Sequence, residues 1–181
     1  MLHLELTGKE HRERWLAAVA RSKDLHHPWV SPASTTWQFN QRLKKYRSAN
    51  NISLLAIDQN NALVACINLN EIVRGAFQSA YIGYFVFEPF SGKGLMKKAM
   101  KLVIDYAFNS LELHRIEANI QPTNDASLNL IKSLGFRHEG FSPRYLKIEK
   151  EWKDHERFAL TIEDISTSIS TQNLSDIDKL T

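Results

Sequence analysis

Apolar and polar positions along the chain change period several times, and each change marks an element boundary. Leu2, Leu4 and Leu6 alternate with His3 and Glu5, the two-residue period of a half-buried strand. Thr7-Gly8-Lys9-Glu10 has capping-box spacing, so a helix is expected from about Gly8 to Ser22. Leu25 to Ser34 carries two prolines and the pair His26-His27 and reads as loop. A second helix is expected over Thr35 to Ala49, with Trp37, Leu43 and Tyr46 turned inward. Ile52 to Ile57 and Leu63 to Ile72 are apolar runs joined through Asn60-Asn61, the pattern of two strands and a tight turn. Arg74-Gly75 then turns the chain into another apolar strand, Tyr81 to Phe87.

The next stretch is the most strongly periodic. Leu95, Ala99, Leu102, Val103, Tyr106 and Ala107 recur at three- and four-residue spacing, with Lys97, Lys98, Lys101 and Asp105 mostly off that stripe. This is an amphipathic helix. Ile116, Ala118 and Ile120 alternate as a strand, and a helix from about Asp125 to Leu134 is closed by Gly135. A final hairpin sets Tyr145 to Ile148 against Trp152 to Ile162. The order β-α-α-β-β-β-α-β-α-β-β predicts a mixed α/β sheet in which both late helices cross between neighbouring strands. With 181 residues in all, one domain over 1–165 is expected, followed by a polar tail, 166–181, that is mobile or loosely docked.

Composition narrows the class. Apolar residues make up 43%, which suits a packed core, and 23 basic against 20 acidic residues leave a net charge of only +3. No long block of like charge accompanies it, so no direct nucleic-acid binding is expected. The single cysteine, Cys66, lies in an apolar stretch and has no internal disulfide partner, so a buried structural thiol in a cytosolic protein is expected. No apolar run approaches the ~20 residues of a membrane span. A soluble protein with a cytoplasmic location is the expectation.

Chemistry concentrates in two loops. Glu88-Pro89-Phe90-Ser91-Gly92-Lys93-Gly94-Leu95-Met96 breaks a strand at proline and enters a helix across two glycines. Such a turn aims unpaired N–H groups at one point, reinforced by the helix dipole, and suits a phosphate or pyrophosphate. Gly-x-Gly by itself is also compatible with a plain turn in which Lys93 and Lys97 are solvated charge. The second loop, Gln121-Pro122-Thr123-Asn124-Asp125-Ala126-Ser127, offers Asn124 as a helix N-cap with Ser127 in the first turn. No cysteine or carboxylate lies at ligand spacing from His26-His27, so no metal site is expected there. That loop reads instead as the border of a cleft.

From Tyr81 to Leu160 the chain resembles the GNAT superfamily of acetyl-CoA-dependent N-acetyltransferases, and most closely its RimJ/RimL type. Ile82-Gly83-Tyr84, Gly92-Lys93-Gly94-Leu95, Leu113-His114-Arg115-Ile116-Glu117-Ala118, Asn124-Asp125-Ala126-Ser127, Leu134-Gly135-Phe136, Tyr145-Leu146 and Trp152-Lys153-Asp154-His155 carry the resemblance. It implies a mixed, mostly antiparallel central sheet flanked by helices. It also implies acetyl-CoA as cosubstrate, with the amides of Gly92, Lys93, Gly94, Leu95 and Met96 on its pyrophosphate. The backbone of Phe85, Val86 and Phe87 would pair with the pantetheine arm, the Phe87 amide facing the thioester oxygen. Asn124 would bond the pantetheine, Ser127 would protonate the leaving thiolate, and Glu117 would relay the acceptor's proton through water. Tyr145 and His155 are further candidates to touch the acceptor, although Asp154-His155 also fits a hairpin hydrogen-bond network and Glu117 a simple pair with Arg115.

Two residues depart from the pattern. Pro89 stands where the superfamily often has Gln or Arg, and Arg144 where relatives carry an acid before Tyr-Leu. At pH 7 an α-amine of pKa ~7.7–8.0 is roughly a tenth neutral, whereas a lysine of pKa ~10.4 is neutral about four times in ten thousand. Arg144 in place of an acid therefore fits an N-terminal acceptor, as on a ribosomal protein, better than a lysine. A small amine (polyamine, antibiotic or amino-acid derivative) is the alternative acceptor, and a non-catalytic acyl-CoA-binding regulatory domain the alternative class. Direct attack without a covalent acyl-enzyme is expected, in a monomer or homodimer.

Overall fold

A computed structural model describes residues 2–165. Its apolar runs pair into a seven-stranded sheet: β1 (Leu2–Leu6), β2 (Ile52–Asp58), β3 (Leu63–Val73), β4 (Ser79–Val86), β5 (Arg115–Ile120), β6 (Arg137–Ile148) and β7 (Glu151–Thr161). The helices are α1 (Arg12–Arg21), α2 (Lys23–His26), α3 (Thr36–Lys45), α4 (Leu95–Asp105) and α5 (Asp125–Ser133). Strand order is β1-β2-β3-β4-β5-β7-β6, antiparallel at every pairing except β4 with β5. The mixed, mostly antiparallel sheet flanked by helices is the expected fold class.

Alternation along the strands divides the interior in two. Ala80, Ile82, Ile116 and Ala118 face the apolar stripe of α4, whose Ala99, Met100, Val103 and Ile104 are buried against them. Leu55, Ile57, Cys66, Phe85 and Phe87 face the other way and pack with Trp15 and Val19 of α1 and Phe39 and Leu43 of α3. Trp15 is fully buried there between Phe39, Phe85 and Phe87, with ring centroids 5.6 to 5.8 Å apart.

The β4–β5 pairing positions the site. It runs only from Ser79–Arg115 to Tyr81–Glu117, and beyond Tyr81 the two strands separate. The far half of β4 keeps β3 on one side and, among the described residues, has no strand on the other.

Several expectations need correction. The first helix opens with a 3-10 turn, Lys9–His11, where the Gly8 N–H is capped by His11 Nδ1 at 3.0 Å rather than by Glu10. Leu25 and His26 belong to α2, not to a loop. α3 stops at Lys45, and Trp37 is 69% exposed; Phe39 takes the inward position. The late helices do not both join neighbours, because β7 is inserted between β5 and β6. The tail expected at 166–181 lies outside the described residues.

Candidate active site

The glycine loop owes its geometry to the backbone alone. Gly92 and Gly94 both have φ near +70°, a conformation that costs other residues about 1–2 kcal/mol. These two turns send the chain from β4 into α4. Phe90 N–H donates to Phe87 C=O at 2.9 Å, and Lys98 N–H to Gly94 C=O at 3.3 Å. Between them, the amides from Ser91 to Lys97 have no protein acceptor among the described residues. A Cβ built on either glycine meets nothing within 4 Å, so the loop faces open space. These N–H groups, at the positive end of an eleven-residue helix, are suited to an anion.

Register fixes the chemistry of the neighbouring strand. Phe87 N–H donates to Val64 C=O at 2.9 Å, inside the β3 pairing. The Phe87 amide is therefore spent, which corrects its expected role as a donor to a thioester oxygen. Counting back through the unbroken register, Phe85 and Gly83 turn their polar groups toward β3 as well. Tyr84 and Val86 turn theirs toward the side that β5 has left. The Val86 C=O accepts a hydrogen bond from His26 Nε2 at 2.8 Å, while Val86 N–H and the Tyr84 amide group border the gap. Of the two neighbouring amides, Val86 N–H is the one that faces away from β3.

A cavity of about 560 Å³ joins these features. Of the expected residues, Phe85, Val86, Gly92, Gly94, Met96, Asn124 and Ser127 line it, and Lys97 joins them. Phe87 is buried in the α1–α3 core, Leu95 packs against the α4 core, and Lys93 is exposed. Asn124 caps α5, its Oδ1 accepting the Ser127 N–H at 3.1 Å. Ser127 Oγ is 2.7 Å from Tyr84 Oη, a hydrogen bond that spans the gap between β4 and α5. Burial pushes the Tyr84 phenol up to about 12, so it stays protonated and available as a donor to the serine. In the sequence Tyr84 stands out only within the Ile82-Gly83-Tyr84 motif, since its pairing with Ser127 needs the tertiary fold.

Glu117 and Tyr145 lie apart from that cavity. Glu117 Oε1 accepts from Arg115 Nε at 2.9 Å, and Arg115 also pairs with Glu139. The neighbouring Tyr145 phenol, partial burial and the Glu117 carboxylate push the Tyr81 phenol up to about 12. Asp154 accepts the Arg144 N–H at 2.7 Å and His155 Nδ1 donates to Lys153 C=O at 2.9 Å, so both serve the hairpin. His26 Nε2 faces a carbonyl and must carry its proton, leaving Nδ1 buried without a partner. Burial holds His26 below the usual histidine value. Among the described residues no cluster of three or more His, Cys, Asp or Glu could hold a metal.

The sequence profile of the acetyltransferase (GNAT) domain matches residues 2–137. This chain belongs to the GNAT acetyltransferase family. Within the GNAT acetyltransferases it is RimJ-like. It is 39% identical over 123 residues to the probable N-acetyltransferase YjcK of Bacillus subtilis (strain 168), covering 68% of this chain and 67% of that one. It is also 39% identical over 102 residues to the [ribosomal protein uS5]-alanine N-acetyltransferase of Escherichia coli (strain K12). That alignment covers 56% of this chain and 53% of the relative, about half its length. Mycobacterium smegmatis RimJ in complex with CoA-disulfide superposes with TM-score 0.79 at 25% identity, over 90% of this chain and 83% of that one.

Proposed function

We propose that this GNAT enzyme transfers acetyl from acetyl-CoA to the N-terminal α-amine of a protein. One observation carries the reading: the unbonded loop amides, the open edge of β4 and the Ser127 hydroxyl border one continuous cavity. Those amides and Lys97 match a diphosphate, and the Tyr84 and Val86 backbone groups match an extended amide chain added as a strand. Acetyl-CoA supplies the activated acetyl group. Val86 N–H is placed to stabilise charge on the carbonyl oxygen. Ser127, held by Tyr84, is placed to protonate the departing thiolate, whose thiol pKa is near ~8.5 by analogy with cysteine.

The attacking nitrogen forms the new C–N bond as the C–S bond breaks, and then loses one proton. Glu117, kept by Arg115 beside Tyr81, is assigned to receive that proton through water. An α-amine demands little of such a base. Support for a protein acceptor comes from the named uS5-alanine relative and from Arg144 standing where an acid would favour less acidic amines.

Calorimetry with acetyl-CoA tests the cosubstrate, with a micromolar to submillimolar dissociation constant expected. No heat of binding would overturn the reading. Thiol release with peptides bearing free N-termini, against polyamines and antibiotics, tests the acceptor. Turnover restricted to the small amines would replace the protein acceptor, and binding without any turnover would favour a regulatory acyl-CoA-binding domain.

A further inference from the structure

A second cavity, about 460 Å³, lies on the α3 side of β3 and β4. It meets the first at Val30, Tyr84 and Phe85, so it opens on the part of β4 where the reaction is placed. Its floor includes Asn68 and Gly83, which stand opposite one another in the register. Gly83 contributes no side chain, which leaves the floor open beside Asn68.

Arg42 projects from α3 into this space. Its guanidinium lies over the rings of Trp15 and Tyr46, 4.6 and 4.5 Å from their centroids. One nitrogen, Nη2, donates to Ser53 Oγ at 2.6 Å, Asn68 Oδ1 at 2.6 Å and Cys66 Sγ at 3.0 Å. All these partners are uncharged, for burial raises the Cys66 thiol and the Tyr46 phenol and keeps both protonated. Nε is buried with no acceptor among the described residues. A half-buried, rigidly held guanidinium without a carboxylate is costly to the fold on its own. With Nη2 engaged and Nε buried, Nη1, accessible and without a protein acceptor among the described residues, is the nitrogen left to meet an anion. Lys45, on the same wall, adds a second positive charge.

Resting on the N-acetyltransferase reading, we infer that this cavity binds the carboxylate of the acceptor, with Arg42 as its receptor, so that the preferred substrates carry a carboxylate close to the reacting amine. Cys66, which Arg42 touches, stands opposite Phe85 in the register, one strand spacing of about 4.8 Å away, so Arg42 lies within a few bonds' reach of an amine at Phe85. Two sources satisfy this chemistry: the α-carboxylate of a free amino acid, or an acidic side chain near a protein N-terminus. Polyamines, which bring only positive charge, are excluded by the same two cations.

The test uses the full chain and needs no turnover. The Arg42 Nε–Hε resonance is followed by NMR during titration with two product mimics and their neutral isosteres. N-acetylalanine is compared with N-acetylalaninamide, and the amide of N-acetylalanylglutamate with that of N-acetylalanylglutamine. A saturable shift with a carboxylate at least tenfold tighter than its isostere supports the site, and the responding pair identifies the source. Equal responses, or none, overturn it. In turnover assays the carboxylate acceptor gains through KM, and Arg42→Gln brings the carboxylate-to-amide ratio of kcat/KM to about one; a ratio that survives Arg42→Gln overturns the assignment. Acetyl-CoA calorimetry, run on the same sample, reports separately on the N-acetyltransferase reading.

Discussion

At the scale of single residues, the 2.7 Å contact between Tyr84 Oη and Ser127 Oγ separates a placed hydroxyl from a free one. Ser127→Ala removes the proton donor and is expected to lower kcat by roughly 100-fold, the low end for general acid catalysis. Tyr84→Phe removes one neutral hydrogen bond and should cost about fivefold. The double variant should be no slower than Ser127→Ala, because Tyr84 acts only through the serine; steady-state kinetics on the four proteins checks this coupling, and additive losses would refute it. Residue identity was readable in sequence for Ser127 and Asn124, whose motif spacing places them at a helix start. The donor amide was not. Phe87 and Val86 differ by one position, and only the pairing of Phe87 N–H with Val64 shows which of them is occupied. Arg42 was equally hidden, since its partners Ser53, Cys66 and Asn68 come from two other strands.

Elements with strong periods were the legible ones. The three- and four-residue spacing of α4 and the alternation of β5 appear where the sequence puts them, because one face of each meets a single apolar layer. Long-range order was less accessible: nothing local announces that β7 slips between β5 and β6. The exposure of Trp37 likewise follows from how α3 is rotated against Trp15, which local pattern does not fix. The loop into α4 makes the sharpest prediction at this scale. Gly94→Ala adds a Cβ at φ near +70° without any clash, so the cost is conformational, about 1–2 kcal/mol. If that strain is relieved by turning the loop amides, acetyl-CoA affinity falls by about tenfold or more with little change in fold. Calorimetry and circular dichroism together measure this, and unchanged affinity would argue against the loop as the diphosphate cradle.

Across the whole molecule, two of the buried histidines, His26 and His155, tie stability to pH. Burial lowers both His26 and His155 from the ordinary value of 6.5, so the unfolded chain binds more protons than the folded one just below that pH. Their contribution is complete above pH 6.5 and is lost as pH falls through the folded values. Carboxylates held low by ion pairs, such as Glu139, act only below their ordinary 4.5. Thermal melts should therefore show Tm level from pH 8 to 7 and declining between pH 6.5 and 5; a flat profile over that interval would contradict the assignment. The parting of β4 from β5 has a kinetic corollary. One chamber reaches Tyr84 and Phe85 past α4 and α5, the other past α3, so neither occupant has to depart before the second arrives. Double-reciprocal plots at several fixed concentrations of the second substrate should accordingly intersect, the signature of a ternary complex, and never run parallel as in a ping-pong exchange.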